Sequence, residues 1–153
     1  MEKYYDLWDD YSIEFNQKLI DLQGDWSKLD KEEQEIAALW KLYVDIGNGG
    51  FIQFFCNWGY ECYCYAMRGL QRIEDEGLFN LLHNTYVNVL DRFREDPRLK
   101  YYWDIEQYLT EEDYKILDCT DTQFYETEGE PFVKAAYEYY CEKLKKTVTP
   151  LHN

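Results

Sequence analysis

Apolar side chains recur at three- and four-residue spacing in six stretches of this chain, and no stretch alternates in the two-residue rhythm of a strand. That pattern points to an all-α fold. In the first stretch Tyr4, Leu7, Trp8, Tyr11, Phe15, Leu19 and Leu22 form one stripe, with Asp6, Asp9, Asp10 and Glu14 on the opposite side. Gln23-Gly24-Asp25 reads as a turn. The second helix opens at Asp30, with Glu33 placed for a capping box, carries Ile36, Leu39, Trp40 and Tyr43, and is expected to end at Gly47. A third carries Cys62, Tyr65, Ala66, Leu70 and Ile73; a fourth, after Gly77, carries Leu78, Leu82, Tyr86, Val89 and Phe93 and closes at Asp96-Pro97. Thr110 caps a short helix to about Leu117, residues 118–129 read as loop with a turn of helix, and Pro131 suits the first position of a last helix. That helix carries Phe132, Val133, Ala136, Tyr137, Tyr140 and Leu144, and residues 147–153 are expected to fray. The 153 residues suffice for one core, so the expectation is a single-domain compact bundle of about six to eight helices over residues 1–153.

The run from Asn48 to Gly59 has no charged side chain. Gly47, Gly49 and Gly50 offer the backbone freedom to end one helix and turn the chain. Phe51, Phe54, Phe55 and Trp58 then fall on one face of the next helix. Gln53 and Asn57, four apart on another face, are placed to pair or to bond the turn. The residues Asn48, Gly49, Gly50, Phe51, Gln53, Phe54, Phe55 and Asn57 therefore read as a structural motif.

Acids outnumber bases 31 to 16, a net charge of −15, which argues against direct binding to nucleic acid or to an anionic membrane and favours a basic partner. Plain solubility is the competing reading of that charge. No apolar segment follows a basic start at the N-terminus, and the longest uncharged run, 46–60, is too short and polar to span a bilayer, so a cytoplasmic protein is expected. The five cysteines, Cys56, Cys62, Cys64, Cys119 and Cys141, are odd in number and irregularly spaced, against a disulfide framework. No Glu-x-x-His, His-x-x-x-His, Cys-x-x-Cys or P-loop occurs, so no metal, cofactor or catalytic residue is assigned. His83, in mid-helix, reads as structural.

The excess charge is clustered. Residues 104–130 hold ten acids, Asp104, Glu106, Glu111, Glu112, Asp113, Asp118, Asp121, Glu126, Glu128 and Glu130, against Lys115 alone. Residues 1–35 hold eleven acids against four bases. On the first helix Asp6, Asp10 and Glu14 step along the surface by about 6 Å each. Such a field attracts and orients a basic partner, with these residues and Asp9 as the candidate partner-binding surface.

The run Asn48-Gly49-Gly50-Phe51-x-Gln53-Phe54-Phe55-x-Asn57 resembles the signature of the DNA-mimic protein 19-like family. Leu42-Tyr43-Val44-Asp45, the segment from Leu117-Asp118 to Tyr125, and Tyr137-Glu138-Tyr139-Tyr140 also resemble its pattern, over roughly residues 30–145. The resemblance implies an all-helical fold, often a homodimer. For the founding member it implies a carboxylate surface that imitates the phosphate backbone and occupies the DNA-binding face of a helix-turn-helix protein. The expected function is thus an acidic, non-catalytic interaction protein that competes with DNA for a basic DNA-binding protein. The alternatives are an immunity or antitoxin-like protein that neutralises a basic toxin, and an enzyme with a pocket near Asn48, Gln53 and Asn57.

Overall fold

The computed structural model describes residues 2–151, with the backbone alone of Glu2. Among them every regular element is helical. The order is α1 (Glu2–Asp21), a 3-10 turn (Trp26–Lys28), α2 (Lys31–Gly49), α3 (Phe51–Arg72) and α4 (Glu76–Thr85), which runs on through a π turn (Tyr86–Leu90) and a 3-10 turn (Asp91–Phe93). A 3-10 helix (Tyr102–Tyr108), α5 (Glu111–Gln123), a π turn (Phe124–Glu128), α6 (Gly129–Ala136) and a last π turn (Tyr137–Lys143) follow.

Helix α2 is the axis of the bundle. Asp30 caps it in the expected capping box with Glu33. Its Ile36, Ala37, Ala38, Leu39, Leu42 and Ile46 are at most 1% exposed, because α1 packs along one side and α3 along another. The expected one-sided stripe was therefore too narrow: a helix covered nearly all round buries most of its positions. Trp8 and Phe15 of α1, Phe51, Phe54 and Leu70 of α3, Leu78 of α4, and Phe132 and Tyr140 near the C-terminus complete a single apolar cluster. Each such side chain contributes about 1.5–3 kcal/mol by leaving water.

Burial of α2 also takes charged groups inside: Glu33 and Glu35 are ion-paired, while Lys41 and Asp45 meet neutral polar side chains. Lys18 of α1 bonds Glu33 at 2.8 and 2.9 Å, both residues being buried. Glu35 receives Arg68, Arg72 and Tyr140. A removed partner would leave an uncompensated buried charge, so these pairs fix how α1, α3 and the C-terminal helix register on α2.

Three expectations are corrected. Helix α2 does not stop at Gly47 but continues to Gly49. Residues 118–129 are not a loop: α5, the π turn and α6 follow one another through right-handed helical backbone at Gln123, Phe124, Glu128 and Gly129. Pro131 thus lies inside a helix. It has no N–H to give and its ring would press on the preceding turn, and the π turn before it, in which Gly129 N–H donates to Phe124 O, is the widening that lets the helix pass. The chain around the start of the expected tail, residues 147–153, bonds α1 and the start of α2. Tyr11 donates to Lys146 O at 2.7 Å, Lys146 pairs with Asp30 at 2.5 Å, and Thr149 N–H donates to Glu33 at 3.0 Å. Its last two residues lie outside those described.

Candidate interaction surface

The uncharged motif is built as a joint between α2, α3 and α5. Asn48 and Gly49 complete the last turn of α2, and the break falls at Gly50, whose φ of 89° and ψ of 179° suit glycine alone. Gly50 N–H donates back to Asp45 O and Ile46 O. Phe51 N–H donates to Asp121 Oδ1 at 2.9 Å, so a carboxylate from α5 sits on the positive end of α3. Burial raises the Asp121 pKa, against the pull of the Phe51 N–H, and Asp118 raises it further.

The polar side of the motif closes on Asp45, which is buried. Its carboxylate accepts from Trp58 Nε1 at 2.7 Å, Gln53 Nε2 at 3.2 Å and Asn57 Nδ2 at 3.4 Å. Gln53 and Asn57 thus share a third residue instead of pairing with each other. Lys41 lies 3.8 Å over the Trp58 ring and donates to Asn16 at 2.8 Å. Burial lowers the Lys41 pKa, against Cys62 and Asp45. Phe51, Phe54 and Phe55 enter the core as expected, but Trp58 stays at its edge, 37% exposed, because Asp45 holds its indole. A second kink follows at Gly59, where φ is 79° and the Tyr102 ring occupies the space a Cβ would need. One glycine in a helical stretch carries no local signal, so the kink at Gly59 is not legible in the sequence.

A cleft of about 520 Å³ opens on the far side of Phe55, walled by Tyr60, Phe93 and the segment after it; Asn48, Gln53 and Asn57 do not line it. Burial first, then Glu106, pushes the Cys56 thiol up to about 12, and burial raises Cys62 as well. Thiols held protonated are poor nucleophiles. His83 is exposed and stacks on Phe79.

The candidate acids separate into two groups. Asp113 is buried, closes the capping box of α5 with Thr110 and is paired with Arg92. Asp121 caps α3, Asp104 accepts the N–H groups of Lys100 and Tyr101 at 2.9 and 3.0 Å, and Asp9 accepts the Trp40 indole at 2.8 Å. Glu128 and Glu130 are half-buried. Asp6, Asp10, Glu14, Glu106, Glu111, Glu112, Asp118 and Glu126 are exposed.

Tyrosines join part of this set across elements. Tyr5 of α1 stacks on Tyr43 of α2, ring centres 5.3 Å apart. Burial raises both phenol pKa values; Glu130 adds to the effect at Tyr5, and Asp9 and Asp6 add to it at Tyr43. Acids of α1 and α6 therefore reach one tyrosine pair. Beside it Tyr125, 63% exposed, donates to Gly47 O at 2.8 Å. Sequence order conceals this juxtaposition, because α1 and α6 lie at opposite ends of the chain.

The carboxyl groups also set an acid limit. At Glu35 burial raises the pKa, but hydrogen bonds from Arg72, Tyr140 and Arg68 outweigh it and the net shift is down. At Asp30 the bonds from Lys146 and the Glu33 N–H likewise overcome burial. At Asp113 the Arg92 bond dominates and lowers it. A depressed carboxyl pKa stabilises the fold above its unfolded value, and that contribution is lost as pH falls through the folded value. Asp75 and Asp121, raised chiefly by burial, act in the opposite sense. The melting temperature is expected to hold down to about pH 5 and to drop steadily below about pH 4. Thermal melts from neutral to acid pH check this; a rise on acidification would mean that Asp75 and Asp121 dominate.

Among the described residues no helix is long and apolar enough to cross a membrane, and no group of three or more His, Cys, Asp or Glu is arranged to hold a metal ion. A model of the family described as DMP19-like protein matches residues 27–144. No curated protein and no solved structure matches the chain.

Proposed function

We propose, because this chain belongs to the DMP19-like protein family, that it acts as an acidic interaction protein that occupies the DNA-binding surface of a basic protein, of helix-turn-helix type, in place of DNA. The observation that carries this reading is the convergence of α1 and α6 at the stacked Tyr5 and Tyr43, where burial and then Glu130, Asp9 and Asp6 raise the phenol pKa values, beside the exposed Tyr125. Exposed carboxylates supply the attraction and set the approach. Tyrosine rings supply contact area at small cost in side-chain entropy, which acids alone lack. Asp6, Asp10 and Glu14 lie ahead of the family match at residues 27–144, so α1 extends the charged face beyond the segment shared with the family.

The test uses the full chain, immobilised, and a lysate of its native source. A basic DNA-binding protein should be retained at about 50 mM salt, released by about 500 mM, and displaced by duplex DNA. The variant D6N/D10N/E126Q/E130Q should retain about tenfold less. Retention that ignores both salt and DNA would sink the proposal.

A further inference from the structure

We propose that the cleft beside Phe55 is a binding site for a small planar aromatic anion, such as an aromatic carboxylate. This rests on the cleft alone and not on the acidic surface. Its volume, about 520 Å³, falls within the range of small-molecule sites. Its floor comes from α3, through Phe55 and Tyr60, and its wall from Phe93 in the 3-10 turn that follows α4. The segment 94–103 forms the opposite rim. Gly59 fixes that rim, since the kink there seats the Tyr102 ring against α3.

The rim holds aromatic surface open to solvent. Tyr101 and Trp103 stack on each other at 4.4 Å with their planes 6° apart, yet remain 47% and 55% exposed. Two parallel rings already in register present a flat apolar face, which suits an added ring.

Charge selects the sign of the ligand. The short stretch 92–100 carries Arg92, Arg94, Arg98 and Lys100. Arg92 is committed to Asp113, and Arg98 to Asp96 at 2.7 Å. Arg94 and Lys100 make no ion pair among the described residues; Arg94 lies 4.2 Å over the Tyr60 ring and Lys100 5.4 Å over Tyr101. Both line the cleft, and with Asp96 already paired, Glu95 is the one lining acid that opposes them. Two cations outside any ion pair at an aromatic cleft are a local exception in so acidic a chain; the nearby Asp104 carboxylate is turned to the backbone N–H groups of Lys100 and Tyr101. Salt screens the more distant carboxylates beyond about 8–10 Å.

Naphthalene-2-carboxylate, with its neutral carboxamide as control, tests the site by amide and indole NMR titration of the full chain. The acid is expected to shift the Trp103 indole and the backbone of 94–105 with a Kd of about 0.1–1 mM, and the carboxamide to bind about tenfold more weakly. Trp103→Phe identifies the indole signal. In the double variant R94Q/K100Q the acid should fall to the level of the carboxamide while the carboxamide is unchanged, which also shows that the cleft remains folded. Equal binding of acid and carboxamide, shifts centred elsewhere, or no shift would overturn the proposal. So would a Trp103 shift that follows protein concentration without added acid, which marks contact with a second copy.

Discussion

Replacing Glu35 by alanine is expected to destabilise the fold by about 3–5 kcal/mol, the usual cost of removing one partner from a buried ionic group. Glu35 is 0% exposed and holds four bonds. Oε1 accepts from Arg72 Nε at 2.5 Å and the Tyr140 hydroxyl at 2.7 Å; Oε2 accepts from Arg68 Nε at 2.6 Å and Arg72 Nη2 at 2.9 Å. The two arginines are about one-third exposed and can turn part of their charge to water, which keeps the cost from rising further. Tyr140 cannot: its hydroxyl is fully inside and would lose its acceptor. Urea unfolding should show the midpoint falling by about 2 M with an unchanged slope. Tyr140→Phe alone should cost about 1–3 kcal/mol, and the double variant less than the sum, since both remove the same bond. A midpoint shift under about 0.5 M for Glu35→Ala would mean that water replaces the carboxylate without strain.

The same residue shows where sequence reading stops. The α1 stripe, the capping box at Asp30 and the all-helical class are local properties, written in spacings of three and four residues, and they appear in the structure as expected. Glu33, Glu35, Lys41 and Asp45 lie in an equally clear helix, and their charge would place them outside. Their partners are remote: Lys18 precedes Glu33 by 15 positions, and Tyr140 follows Glu35 by 105. Periodicity cannot encode such pairs, so a central helix with internal ion pairs reads as an amphipathic surface helix. The acidic segment shows the same limit. Ten carboxylates between residues 104 and 130 read as one field, but Asp104, Asp113 and Asp121 are spent on helix ends, and Asp113 also on Arg92. Pro131 misleads for a related reason. Its local preference is the start of a helix, and only the π turn before it shows that the helix continues through.

The glycines of the motif carry a second large effect, because three that look alike in sequence do different work. Gly47 is helical with open space where a Cβ would stand, so Gly47→Ala should stabilise by about 0.5–1 kcal/mol through helix propensity. At Gly49 a Cβ would meet the amide end of Gln53, a flexible group that can swing away, and would stand 3.1 Å from the Gln53 Cβ, which must give by a few tenths of an ångström. The helix gain there is offset by a weakened 3.2 Å bond from Gln53 to Asp45, and Gly49→Ala should lie within about 0.5 kcal/mol of the parent. Gly50 is different on two counts. Its backbone region costs other residues about 1–3 kcal/mol. Its Cβ would also run into the Asp121 carboxylate, driving it off the Phe51 N–H and removing a charged hydrogen bond of about 1.5–3 kcal/mol. Gly50→Ala should therefore cost about 3–5 kcal/mol, read as a fall in the urea midpoint. Asp121→Ala separates the two causes. With the carboxylate already gone, adding Gly50→Ala should cost only the backbone part, about 1–3 kcal/mol. A full cost in that background would place the whole effect in the backbone and none in the contact between α3 and α5.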